Sequence, residues 1–226
     1  MKTSKIWAVV PARNEEKNIS RVVKKAGKYA DNVVLIDDGS TDKTALLGKK
    51  AGAIVIRHIV NLGKGAALKT GCDFAVKNGA KFIVVLDADA QHKPEDIPRF
   101  ADKLKKYDVV FSYRKLGAKM PFVLRFGNWF ISKFVKVFYG IDLKDTQCGF
   151  RAFSKDAYKK IRWNANDYSM ESEMISRAGR QRLKYVQIPI QTIYSDKYKG
   201  TTIIDGVKIV LNMLWWRLLN GSGRMR

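Results

Sequence analysis

Histidine and cysteine are scarce in this chain of 226 residues, which has two of each: His58, His92, Cys72 and Cys148. The cysteines stand far apart and in no paired metal-binding spacing. Two reduced thiols in a cytosolic protein are the expectation they leave. His92 is a lone histidine in a loop and reads as a surface residue, so the sequence offers no compelling histidine base. The N-terminus, MKTSKIWAVVPARNEE, has too short an apolar run for a signal peptide and no small-residue cleavage site, so export is not expected. Two strongly apolar stretches, 121–140 and 202–219, fall short of the uncharged run of roughly 18–20 residues that crossing a bilayer demands. No G-x-G-x-x-G follows the first apolar run and no Walker A pattern occurs, so a dinucleotide site and a P-loop are both unsupported.

Acids number 21 against 43 lysines and arginines, and this excess of base sets a formal net charge of +22. Such a field attracts polyanions: nucleic acid, an anionic membrane surface or a phosphorylated substrate. The first class lacks its marks, since no zinc spacing, helix-turn-helix signature or aromatic RNP motif is present. The length, with 46% hydrophobic residues, suffices for one sizeable α/β core.

What is present is alternation. Continuous apolar runs at 6–12, 32–38, 53–58, 81–89 and 107–113 suit strands buried on both faces. Helix-like stretches lie between them at 15–30, 42–52, 64–79 and 94–106. Ser40 and Thr41 are placed to cap the second, Gly79 to end the third, and Pro94 with Glu95 and Asp96 to open the fourth. The pattern predicts an α/β fold with a mostly parallel, doubly wound sheet. Ligands in such sheets bind beyond the carboxyl ends of the strands. Arg13-Asn14-Glu15, Asp37-Asp38-Gly39-Ser40 and Asp87-Ala88-Asp89-Ala90-Gln91 all fall at those ends. NLGKGAALKTG (61–71) puts glycines around Lys64 at a helix start, where a phosphate could sit. A glycine-rich turn with a solvated lysine produces the same pattern.

In VVLDADAQHKPED (84–96), two aspartates end a buried strand one residue apart, and like charges so placed call for a cation between them. With the amide oxygen of Gln91 they form a hard oxygen set suited to Mg²⁺ or Mn²⁺, the remaining positions going to water and substrate phosphates. A helix-entry loop with acids near the N-terminal dipole is the plainer explanation of an isolated D-x-D.

VVPARNEE, VVLIDDGSTDKT, NLGKGAALKTG, VLDADAQHKPED and KDTQCGFRAF, in that order and spacing, resemble family 2 glycosyltransferases. The likeness runs from about residue 7 to 198 and is nearest to the dolichyl-phosphate mannose synthase and polyprenyl-phosphate glycosyltransferase branch. It implies a GT-A fold, a divalent metal and inversion at the anomeric carbon. The donor would be a nucleotide sugar (GDP- or UDP-hexose), and dolichyl or polyprenyl phosphate the acceptor. By the same resemblance Pro11, Ala12, Arg13 and Glu15 match the donor-base segment, and Asp37 and Asp38 the acids that meet base and ribose. Lys64 matches a nucleotide-contacting cation, and Asp87, Ala88, Asp89 and Gln91 the metal motif. Asp89 and Gln91 are its ligands, with Asp87 a further candidate. Arg114 and Arg125 match arginines near the sugar or acceptor phosphate, and Asp145 an acid on the acceptor side. Lys197 or Lys199 stands where a basic residue closes over the diphosphate, Lys199 being taken as the catalytic candidate. Cys148 stands where serine is frequent.

A departing nucleoside diphosphate gathers negative charge, which a metal and a lysine stabilise without proton transfer. A sugar hydroxyl acceptor needs a base, for which Asp145 would serve. A lipid phosphate is already an anion and needs cations instead, such as Arg114 and Arg125. The resemblance also sets expected boundaries: a transferase domain over 1–200, its nucleotide-sugar half reaching about 115 and its acceptor half 116–200, then a helix and basic tail over 201–226. On helices, 121–140 and 202–219 would be amphipathic and could lie in the plane of an anionic membrane surface, though packing on the core is the competing reading. The expectation is peripheral attachment at the inner face of the cell membrane.

Overall fold

The computed structural model describes residues 5–114, 132–133 and 135–191. Its seven-stranded sheet has the order β3-β2-β1-β4-β6-β5-β7. The strands are β1 Ile6–Ala12, β2 Asn32–Asp38, β3 Ile54–His58, β4 Phe82–Val85, β5 Val109–Arg114, β6 Arg151–Ser154 and β7 Tyr185–Ile190. All neighbouring pairs are parallel except those of β6, which runs against both β4 and β5. The mostly parallel α/β sheet expected from the alternation is the one observed. Each expected strand is present, with β4 stopping at Val85 rather than at Asp89. β6 and β7 are additions.

Alternation along each strand feeds two cores. Trp7 and Val9 of β1 join Val34, Ile36, Ile83 and Val85 on one face, beneath α3 (Lys64–Lys77), α5 (Lys155–Ile161) and α6 (Met170–Arg180). Ala8, Val10 and Ala12 join Leu35, Phe82 and Val84 on the other, against α1 (Ile19–Ala26) and α4 (Ile97–Lys103). Burial on both faces is why the strands read as unbroken apolar runs. The first helix is shorter than expected, because Asn14 turns left-handed at φ 54° and regular helix begins only at Ile19. Gly79 (φ 86°) follows α3, as expected of a helix end. Ser40 and Thr41 do not cap α2 (Thr44–Lys50). Asp42 Oδ1 accepts the Thr44 amide at 2.9 Å instead, while Ser40 Oγ accepts the Asn14 amide and ties the ends of β1 and β2 together.

The antiparallel strand positions the site. Arg151 opens β6 opposite Val85 and Phe111, so the segment 145–150 before it emerges at the carboxyl ends of β4 and β5. No helix among the described residues is long and apolar enough to cross a membrane.

Candidate active site

Three segments meet at the carboxyl rim as the sequence predicts. After β1, Asn14 Oδ1 accepts the Thr41 amide at 2.9 Å, and the Glu15 amide donates to Thr44 Oγ1 at 2.8 Å. Pro11 and Ala12 are buried and Arg13 is exposed. After β2 the two aspartates part company. Asp38 accepts the Leu62 and Gly63 amides at 2.9 Å each and His58 Nδ1 at 2.8 Å, so it anchors the β3–α3 loop. Asp37 is fully buried, accepts the Ser40 amide through Oδ1 and lies 3.1 Å from Arg57 Nε through Oδ2, an oxygen without a hydrogen bond.

After β4 the acid pair is electrostatically split. Lys64 Nζ lies 2.9 Å from Asp87 Oδ1 and 3.1 Å from Glu171 Oε1, a triad of one buried and two part-buried side chains that joins the end of β4, α3 and α6. Burial alone would lower the Lys64 pKa, but the two carboxylates hold it well above the ordinary lysine value, so the ammonium stays charged. Burial opposes ionisation of Asp87, yet Lys64 draws its pKa below the usual carboxylate value. Asp89 goes the other way: burial raises its pKa, and the Asp87 charge raises it further. Asp89 Oδ1 accepts the Gln91 amide at 2.9 Å across Ala90, a left-handed alanine at φ 62°. Such strain is characteristic of positions held for function.

Lys64 is therefore neither solvated nor at an open helix start. The Gly65 and Ala66 amides of α3 donate to the Asn166 carbonyl at 2.8 and 3.2 Å, which closes that terminus to a phosphate. His92 is not a surface residue either. It is 8% exposed and stacks on Phe150 at 5.1 Å, and its Nδ1 accepts the Asp87 amide at 3.3 Å. Burial lowers its pKa and keeps the ring neutral, as that acceptor role requires.

The side expected to face the acceptor is built from β5 and the segment before β6. Arg114 donates from Nε to Asp145 Oδ2 at 2.7 Å and from Nη2 to Oδ1 at 3.2 Å, a fork matched to the carboxylate. The Arg114 and Gln147 amides donate to the same carboxylate at 3.3 and 3.1 Å. Buried Arg151 secures the segment by donating to the carbonyls of Cys148, Glu171 and Thr146. Burial pushes the Cys148 thiol up to about 11, so it is inert near neutral pH. Gly149 lies against the triad, where a Cβ would stand 2.7 Å from Asp87 Oδ2. Arg125, Lys197 and Lys199 lie outside the described residues.

Sequence reasoning missed Glu171, Arg151 and the burial of His92. The first-turn acids of 170–180 were a signal for Glu171, but nothing local says which cation it meets. Among the described residues no group of three or more His, Cys, Asp or Glu side chains could hold a metal by itself. The donor set still fits a hard divalent ion: Asp89 is a crowded carboxylate without an ion pair among those residues, and Gln91, whose backbone amide it accepts, carries an amide oxygen. Asp87 fits less well, since Lys64 already neutralises it.

Residues 7–162 match the family model described as glycosyl transferase family 2. The chain is 32% identical over 241 residues to the UDP-N-acetylglucosamine–dolichyl-phosphate N-acetylglucosaminyltransferase of Methanococcus voltae, covering 94% of this chain and 96% of that one. It is 24% identical to the undecaprenyl-phosphate mannosyltransferase of Micrococcus luteus, over 95% of this chain and 94% of the relative. Among solved structures, glucosyl-3-phosphoglycerate synthase from Mycobacterium tuberculosis, crystallised with Mn²⁺, UDP and glucosyl-3-phosphoglycerate, superposes with a TM-score of 0.76 at 19% identity, over 94% of this chain and 80% of that one. That likeness carries the fold, and the expected GT-A architecture is the one observed. With the match spanning most of the sheet and both acid-bearing strand ends, this chain belongs to glycosyl transferase family 2 and is a glycosyltransferase.

Proposed function

We propose that the protein moves a hexose from a nucleotide diphosphate sugar to a polyprenyl or dolichyl phosphate, with inversion at the anomeric carbon. The observation that carries this reading is the saturation of Asp145. Its two oxygens accept four donors from Arg114 and Gln147, so it is poorly placed to take a proton from a sugar hydroxyl. The acceptor side thus offers an oriented guanidinium rather than a base, which suits an acceptor that is already an anion. The Methanococcus voltae and Micrococcus luteus relatives are both named for lipid-phosphate acceptors, which supports the same choice.

On the donor side, Asp89 and Gln91 would hold Mg²⁺ or Mn²⁺, and the solved relatives crystallised with UDP and Mn²⁺ or Mg²⁺ support that assignment. A bound ion of this kind neutralises charge on the departing diphosphate. Of the two β2 acids, Asp37 keeps an oxygen without a hydrogen bond, although Arg57 pairs with it at 3.1 Å, and it is the one that would meet the nucleoside. Lys64 keeps Asp87 ionised and fixed, so that the corner presents one uncompensated carboxylate, Asp89, to the metal. Arg125 and Lys199 would complete the acceptor and diphosphate contacts, and residues 1–115 would form the nucleotide-sugar half. The enzyme would work as a peripheral protein at the inner membrane face, where its acceptor lies.

The deciding experiment offers the full chain polyprenyl phosphate, Mn²⁺ and a panel of radiolabelled UDP- and GDP-sugars. One label should enter the organic phase. Label recovered only in a water-soluble saccharide would overturn the reading.

A further inference from the structure

Exposed apolar side chains are concentrated on one flank of the sheet. Of the eight large ones exposed among the described residues, five belong there: Leu46 on α2, Ile54 on β3, and Ile59, Val60 and Leu62 in the β3–α3 loop. Ile59 is 100% exposed, Val60 60% and Leu62 49%. One exposed aliphatic residue is ordinary, but three within four positions make a patch that calls for a partner.

The loop that carries them is pinned from the inside. Asp38 holds the Leu62 and Gly63 amides at 2.9 Å and His58 at 2.8 Å. Gly39 (φ +70°) sits so close beneath that a Cβ there would lie 2.7 Å from the Asn61 nitrogen. The backbone is thus fastened to the end of β2 while the aliphatic groups remain in solvent. Cations share the rim. Arg57 is half-exposed and paired with Asp37, whereas the exposed Arg13 and Lys43 have no ion pair among the described residues.

We propose that the loop 59–62 is a membrane contact, its aliphatic groups entering the headgroup–acyl boundary of an anionic bilayer while Lys43 beside it meets the phosphates. The proposal rests on the reading that the acceptor is lipid-borne. The loop follows β3 at the same carboxyl rim that carries Asp87, Asp89 and Arg114. β3 is an edge strand, with four strands between it and β5, and the net charge of +22 favours an anionic surface at its exposed loop.

The test is flotation of the full chain with phosphatidylglycerol-containing vesicles. The double variant Ile59→Asp/Val60→Asp should lose at least about tenfold in vesicle partition. Leu46→Asp, on α2, should not. Stabilisation by UDP or GDP with Mn²⁺ should be unchanged in both variants. Undiminished flotation of the double variant, or no flotation of the unmodified chain, overturns the proposal. Loss of nucleotide stabilisation would make the loop a wall of the donor pocket, and an unmodified dimer that becomes monomeric in the variant would make it a contact between copies. Either result overturns it too. Flotation lost while no sugar reaches lipid leaves the loop standing and sinks the acceptor reading; flotation kept while transfer persists sinks the loop alone.

Discussion

Lys64 Nζ lies 2.9 Å from Asp87 Oδ1, and this one contact makes two aspartates of the same motif unlike. Asp87 becomes half of a fixed ion pair, whereas Asp89 remains a crowded carboxylate that would gain from a divalent ion. Two carboxylates pushed in opposite directions by their surroundings mark a division of labour.

Removing the lysine should expose the cost of the arrangement. Lys64→Met leaves buried Glu171 and part-buried Asp87 without their cation, and a loss of about 2 kcal/mol is expected. Urea denaturation at neutral pH measures it; a loss within error would mean that solvent already shields both acids.

The acid pair should respond to pH and substitution with opposite signs in metal-free protein. Asp87 has a lowered pKa, so its contribution to stability is present above the ordinary value of 3.8 and is lost as pH falls through its folded value. Asp89 has a raised pKa, so its ionisation opposes folding, and stability declines as pH rises from 3.8 through its folded value. At pH 7 with chelator, Asp87→Asn should therefore cost about 2 kcal/mol, while Asp89→Asn should stabilise. The same Asp89→Asn change should abolish stabilisation by UDP or GDP with Mn²⁺. Equal signs for the two variants in chelator would reject the split.

Asp145→Asn separates the two acceptor chemistries. If the acid orients Arg114, the acceptor KM should rise while kcat falls by no more than about tenfold. If it is a base, kcat should drop by roughly 10²–10⁴. Steady-state kinetics with a short-chain polyprenyl phosphate distinguishes them.

Gly149→Ala tests how tightly the segment before β6 rests on the Lys64–Asp87 pair. The added methyl would stand 2.7 Å from Asp87 Oδ2 and 3.1 Å from Lys64 Nζ. Both atoms are held by their mutual ion pair, so relief means displacing it, at about 1–3 kcal/mol. Activity should fall with donor affinity although the far-UV circular dichroism is unchanged; wild-type donor affinity would show that the segment yields freely.

The sequence by itself determined the alternation of buried strands and helices, and with it the rim where Asp37, Asp87 and Asp89 gather. Double-sided burial writes an unbroken apolar run that needs no knowledge of neighbours, and polar residues at a strand's end can be read in place. The family resemblance singled out Arg114 and Asp145 for the acceptor side, though not that they grip each other. Only the tertiary structure decided that β6 runs antiparallel, that Glu171 reaches Lys64 from 107 positions away, and that His92 is buried against Phe150. The same holds for Asp38, whose carboxylate is spent on loop amides. The reason is physical: a charge's pKa and a carboxylate's remaining lone pairs depend on groups that meet across the sheet, and no local pattern of residues records those meetings.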